Sequence, residues 1–277
     1  VIGEKMELSG ELVALLEAPD DLTLASLALA PCLHTALSTG PEAIAALLIP
    51  ITDQAVAVPV LNITASTALA TEVHTTGLEG GVSRVELIPR RGEHTCPAAE
   101  RVASLLARKV MPALLQAACC SVDLLDPQCS LRGAVVSSVK RGLVPLPVPL
   151  CDERRAYALQ YHANSTADGG RVFRCHVDDS DITLATCLGD PKKAWTGADL
   201  NYVERTPGQP LRPGTPDLCD PSVVVRQHTH TPGVGVLHGG ECFHFVSPLE
   251  AGERATLVAQ AMLDDGASWK RTFLTAH

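Results

Sequence analysis

Aromatic side chains are scarce in this chain: four Phe, three Tyr and two Trp make up 3% of its 277 residues. Proteins that bind single strands stack successive bases on aromatic rings, so the shortage argues against such a platform. Positive charge is short too. Lys and Arg number 22 against 31 Asp and Glu, a net charge of −9 with a pI near 5.5. General nucleic-acid binding needs a basic footprint and is disfavoured, although a local basic patch stays compatible. No uninterrupted apolar run reaches the roughly 18 residues of a membrane-spanning helix, so no span is expected. No C-x-x-C pair occurs among the ten cysteines, which argues against a zinc ribbon.

Those ten cysteines leave two compartments open: a secretory one with disulfides, or the cytosol with buried thiols. Asn62-Ile63-Thr64 and Asn164-Ser165-Thr166 match the glycosylation sequon, a triplet that also arises by chance. The first residue is Val1, which reads as a fragment or a processed product. The length suffices for one large domain or two smaller ones with a substantial core.

Three stretches differ in character. Residues 1–80 are rich in Ala and Leu, with Leu8, Leu12, Leu15 and Leu16 at helical spacing. Pro19-Asp20-Asp21 breaks this helix and Asp21 is placed to cap the next, from Leu22 to Leu37 with an interruption near Pro31. Pro41 suits the first turn of a third helix, Glu42 to Leu48. A further apolar segment follows from Gln54 to Thr71. The alternation resembles armadillo or HEAT repeats, mostly through Asp53 to Ile63; a helical cap or a partner-binding extension fits equally.

Residues 81–130 read as a linker with a short strand, Val82 to Ile88, and a supporting helix, Glu100 to Ala118. Val102, Leu105, Leu106, Val110, Leu114 and Leu115 share one face of that helix, and Pro112 should kink or split it. Residues 131–277 carry eight short β-branched runs between glycine and proline turns: Ala134–Val139, Ala156–His162, Val172–Val177, Ile182–Leu188, Val223–Arg226, Val234–Leu237, Cys242–Ser247 and Arg254–Met262. That pattern predicts a sandwich or jelly roll. Without helices between the strands, a doubly wound sheet is disfavoured.

His176-Val177-Asp178 closes one of these runs. Residues i and i+2 of a strand point to one side, so the imidazole and the carboxylate can face a common metal while Asp179 points away. Two histidines and one carboxylate can occupy a single face of iron(II) and leave three positions open. His228, His230, His238 and His244 compete for the third ligand. His244 precedes Arg254 by ten residues, with Pro248 and Gly252 as turn residues between; ten residues after His238 stands proline, which can anchor nothing. An arginine at that interval suits bidentate capture of a carboxylate. His228 and His230 lie in a polar Thr/Pro-rich stretch and read as solvated, with a place near the substrate mouth as the alternative; His162 and His238 read as structural or solvated. Trp195 and Tyr202 are candidates to line a substrate groove, although packing is the commoner role of such aromatics.

The text from His176 to Leu184, Gly197-Ala198-Asp199-Leu200, Gly233 to His244 and Val246 to Arg254 resembles the iron(II) and 2-oxoglutarate-dependent dioxygenases, in their prolyl 4-hydroxylase-like branch. The resemblance covers about residues 155–262. It implies an α+β fold, a double-stranded β-helix (jelly roll) with helices packed on one sheet, preceded here by the Ala/Leu-rich helical segment. It implies His176, Asp178 and His244 as iron ligands. Arg254 would bind the distal carboxylate of 2-oxoglutarate, with Thr256 and Tyr161 as further contacts. The implied activity is hydroxylation of a C–H bond in a prolyl or lysyl side chain or a small molecule, using dioxygen and releasing succinate and CO2, with L-ascorbate as a supporting reductant. Collagen-type relatives carry an aromatic-rich strand before H-x-D. Here Asn164 to Gly170 is a polar turn and Arg174-Cys175 precede His176, so the substrate stays open. The alternative is a binding module, a helical-repeat scaffold with a silent jelly roll that meets a protein partner through its N-terminal helices.

Overall fold

The computed structural model describes residues 9–52, 54–76, 82–88, 96–120, 155–163, 173–193, 195–204 and 216–262. Four short helices come first: α1 (Gly10–Glu17), α2 (Asp21–Ala28), α3 (Pro31–Thr39) and α4 (Pro41–Ala45). Ser9 and Asp20 accept the N–H groups of Leu12 and Thr23, the side-chain caps that free helix N-termini require. Thus Asp20, one residue before the expected Asp21, caps α2. Pro31 and Pro41 each sit in a first turn, where a missing N–H costs nothing. Arg101 donates to the carbonyls of Leu16 and Ala18 and so closes the C-terminal end of α1.

Two strands follow, β1 (Ile49–Thr52) and β2 (Ala55–Pro59), then α5 (Ile63–Thr75) and β3 (Val82–Ile88). The armadillo-like reading is corrected here, because the stretch that carried it forms a strand and the start of one helix. Ala55 to Val58 are all buried. Such a strand shows no polar alternation, and periodicity cannot tell it from a buried helical segment. Next come α6 (Pro97–Leu105), a π-helical stretch from Leu106 to Val110, and α7 (Met111–Cys120). Pro112 therefore splits the expected helix by widening one turn while the rod continues, as insertions into the hydrogen-bond ladder do.

The remaining strands are β4 (Arg155–His162), β5 (Phe173–His176), β6 (Ile182–Leu188), β7 (Thr196–Gly197), β8 (Leu200–Glu204), β9 (Val224–His228), β10 (Val234–Gly239), β11 (His244–Val246), β12 (Leu249–Ala251) and β13 (Glu253–Ala261). Seven of the eight predicted runs are among them; Ala134–Val139 lies outside the described residues. The large sheet has the order β1-β2-β10-β6-β13-β4-β3 and the smaller one β5-β11-β8-β9, with every pairing antiparallel. This is the double-stranded β-helix of the α+β class, helices on one face.

Strand alternation divides the interior into two cores. Ala255, Leu257, Ala259 and Ala261 of β13 join the helices, including Leu69, Val102, Leu106 and Leu114. The opposite face contributes Val258, which packs with Tyr157, Leu159, Ala185, Leu200, Tyr202 and Val236 between the two sheets. Val56, Val58 and Val60 belong to the helix-side core, so residues before 80 and after 155 share one interior. The polar residues of interest lie in the second core.

Candidate metal centre

Strand pairing brings the first two side chains together. In the small sheet His244 of β11 stands directly opposite His176 of β5 on one side and Tyr202 of β8 on the other. Asp178 follows β5 in a turn locked to the end of β10: its N–H donates to Gly240 O at 2.8 Å, and Gly240 N–H donates to Asp181 O at 2.9 Å. A Cβ at position 240 would fall 1.6 Å from Ser180 O, so this approach admits glycine alone. Asp178 points inward at 7% exposure, while Asp179 is exposed beside Arg155, as alternation predicts.

His176 Nε2 and His244 Nε2 lie 3.8 and 3.9 Å from Asp178 Oδ1. One ligand atom from each of the three residues falls within 4.8 Å of the others, the one such group of three or more potential ligands among the described residues. His244 Nδ1 is 3.0 Å from Cys242 O. A carbonyl only accepts, so Nδ1 carries the proton and Nε2 presents a bare lone pair. Burial first, then His238, pushes His244 down to about 3. Burial works to raise the Asp178 carboxyl, but His244, His238, the Thr183 hydroxyl and His176 hold it below its ordinary value. Thr183 Oγ1 donates to Asp178 Oδ2 at 2.5 Å.

His238, expected to be structural or solvated, is structural. It is buried, not solvated, at 1% exposure, with Nδ1 donating to Gly239 O at 3.0 Å and Nε2 lying 3.8 Å from Asp178 Oδ2. Its ring stands 4.6 Å from that of His244. Inward alternation on β10 beside Val236 was the available signal.

Arg254 of β13 enters the same inter-sheet core from the large sheet at 1% exposure. Tyr161 of β4 is its cross-strand partner, and the guanidinium lies 5.1 Å over that ring. Thr256, two residues on and on the same face, is buried as well. Arg254 Nη1 donates to Ala198 O, and Nη2 donates to His230 Nδ1 at 2.5 Å. His230 corrects an expectation, at 2% exposure rather than solvated. His228 is half-buried at the end of β9. Tyr202 is fully buried, its ring 5.9 Å from His244, and its hydroxyl finds no hydrogen-bond partner among the described residues. Trp195 packs against Gly189. Cys175 is half-buried and Cys242 is buried.

The donor set suits a divalent cation that prefers imidazole and carboxylate, with three ligands leaving coordination positions open. Arg254 offers a fit test of its own. Among the described residues no carboxylate pairs with it, and its Nε is buried without a hydrogen-bond partner. A buried guanidinium with uncharged neighbours is costly unless an anion completes it. Metal ligands on one sheet and an anion-seeking cation on the other thus face a shared interior, an arrangement that suits a metal-chelating organic acid.

No family model matches the chain. Over 107 residues it is 33% identical to the human 2-oxoglutarate and iron-dependent oxygenase domain-containing protein 2, a match that spans 39% of this chain and 26% of that protein. Over 114 residues it is 29% identical to the 2-oxoglutarate and iron-dependent oxygenase domain-containing protein ICU11 of Arabidopsis thaliana, spanning 39% of this chain and 24% of that one. The chain thus spans about a quarter of the length of these curated relatives. Among solved structures, a Pseudomonas putida prolyl-4-hydroxylase aligns over 83% of this chain and 99% of its own, with 15% identity and a TM-score of 0.43. A prolyl hydroxylase from Trichoplax adhaerens aligns over 86% and 94%, with 12% identity and a TM-score of 0.48.

Proposed function

We propose that this chain, by family an iron(II)- and 2-oxoglutarate-dependent oxygenase, hydroxylates a C–H bond of a protein side chain, prolyl or lysyl, or of a small molecule. The observation that carries the reading is the convergence of His176, Asp178 and His244 with a buried Arg254 whose described partners are all uncharged. Iron(II) with 2-oxoglutarate supplies the dioxygen chemistry, with succinate and CO2 as co-products and L-ascorbate as the supporting reductant.

The residues of the chain do the rest. His176, Asp178 and His244 would hold the metal. The Cys242 carbonyl keeps His244 in the tautomer that presents Nε2, the outer support typical of ligating histidines. Arg254 would take the distal carboxylate of 2-oxoglutarate, with Tyr161 and Thr256 beside it. Burial of Arg254 at 1% exposure would strengthen that charge pairing. His176, whose side chain is 39% exposed, marks the side open to a substrate. A protein partner on the N-terminal helices belongs to the same reading, supported by the exposed Leu22 and Leu27 of α2.

Anaerobic addition of iron(II) and 2-oxoglutarate should produce a weak visible charge-transfer band. Folded protein with no band, and no thermal shift from either addition, would favour the silent scaffold. His176→Ala should abolish metal binding and turnover. Arg254→Ala should mainly raise the 2-oxoglutarate requirement, and an unchanged requirement would remove its assigned role. Succinate release across a panel of peptides and metabolites identifies the substrate.

A further inference from the structure

Arg254 is held from several directions, and each contact is uncharged. Nη1 donates to the Ala198 carbonyl, Nη2 donates to His230 Nδ1 at 2.5 Å, and the Tyr161 ring lies 5.1 Å from the guanidinium carbon. The proton on His230 is located by its other contact. Nε2 stands 3.0 Å from Val234 O, which can only accept, so Nε2 donates and Nδ1 is left bare to accept from arginine. Burial first, then the charge of Arg254, keeps His230 well below its ordinary pKa and hence neutral.

The turn that carries His230 is itself pinned. Val234 N–H donates to Thr231 O at 3.0 Å, and Gly233 N–H donates to Cys187 O at 2.9 Å. Cys187 Sγ lies 3.6 Å from His230 O. The imidazole is thereby fixed at both ring nitrogens and through its backbone.

We propose that His230 is a positioning residue that fixes the Arg254 guanidinium while leaving its charge uncompensated, so that an incoming carboxylate supplies the counter-charge. The proposal rests on the reading of Arg254 as the 2-oxoglutarate anchor. Carboxylates are the strong, geometrically matched partners of arginine. One placed where His230 stands would orient the guanidinium equally well but neutralise it, and the site would lose its pull on an anion. A neutral acceptor separates orientation from neutralisation.

An isosteric pair of variants in the full chain tests this. His230→Asn and His230→Asp each place a side-chain oxygen near the position of Nδ1, and each loses the bond to Val234; they differ from one another in charge. Calorimetry on protein loaded with manganese(II) should show His230→Asn retaining 2-oxoglutarate binding. His230→Asp should bind it weaker than His230→Asn by on the order of 10- to 100-fold, the size of a charge-assisted hydrogen bond. Manganese affinity should be the same in both. Without metal or 2-oxoglutarate, His230→Asp should melt above His230→Asn, because its carboxylate completes the buried cation. Equal 2-oxoglutarate affinities, or equal melting temperatures, would overturn the proposal. Wild-type protein that binds manganese but not 2-oxoglutarate would defeat the oxygenase reading, and the melting comparison would still judge the charge relation. Should either variant fail to fold, metal-free wild type carries the test: glutarate should raise its melting temperature and the neutral glutaramide should not. Equal effects of the two would overturn the proposal.

Discussion

Which oxygen of Asp178 meets which imidazole is decided by a hydroxyl that binds no metal in the proposed assignment, that of Thr183. Thr183 donates to Oδ2 at 2.5 Å and His238 Nε2 lies 3.8 Å from that same oxygen, while His176 and His244 face Oδ1. Outer contacts of this kind typically change metal affinity by about 10- to 100-fold when lost. Thr183→Val, which keeps the shape and deletes the hydroxyl, should therefore weaken metal binding by roughly tenfold, with Thr183→Ser restoring it. Titration calorimetry on folded protein checks this, and an unchanged affinity in the valine variant would show that Oδ2 needs no donor.

At the scale of elements, one contact ties two helices to each other. Glu72 of α5, 5% exposed, accepts the Ala98 and Ala99 N–H groups at 2.9 and 2.8 Å. These are free donors in the first turn of α6, which has no side-chain cap of its own. A carboxylate there also complements the helix dipole. Burial raises Glu72 above the usual carboxylate value even though both N–H groups lower it, so the cap is bought against desolvation. Glu72→Ala should destabilise the protein by about 1–3 kcal/mol, the cost of unsatisfied buried donors, read by denaturant unfolding. Glu72→Gln, which keeps an acceptor, should recover part of the loss; a stable alanine variant would assign the capping to water. The strands were legible wherever turns separated β-branched runs, as from Ile182 to Leu188 and from Val234 to Gly239. That of β2 was not, because a strand buried on both faces loses the alternation that marks it; β1 is a four-residue edge strand with Ile49 and Pro50 exposed.

At the scale of the molecule, several buried histidines fold in the neutral form. Burial lowers His230, His238 and His244, the last to about 3, from an ordinary value near 6.5. A histidine lowered on folding binds its proton more readily in the unfolded chain, so stability rises with pH across the window between its two values. The metal-free protein should therefore lose melting temperature as pH falls from about 6.5 toward 3. A melting temperature that rose over that interval would contradict the buried neutral assignment. Asp178, lowered on folding, adds a loss of its own below about 4, as pH falls through its folded value.

The sequence by itself determined the chemistry offered. H-x-D at the end of a strand, a later histidine and an arginine ten residues on are local facts, and strand alternation separates Asp178 from Asp179. It also determined the jelly-roll class, because turn residues cut the C-terminal half into short strands. Only the tertiary structure decided the company these residues keep. His230 is 24 residues from Arg254 and Thr183 is 55 residues from His238, and no periodicity connects them. They meet because β10 lies between β2 and β6, and because β13 pairs with both β4 and β6. Long-range pairing sets such contacts, and a chain position carries no record of which strand will stand beside it.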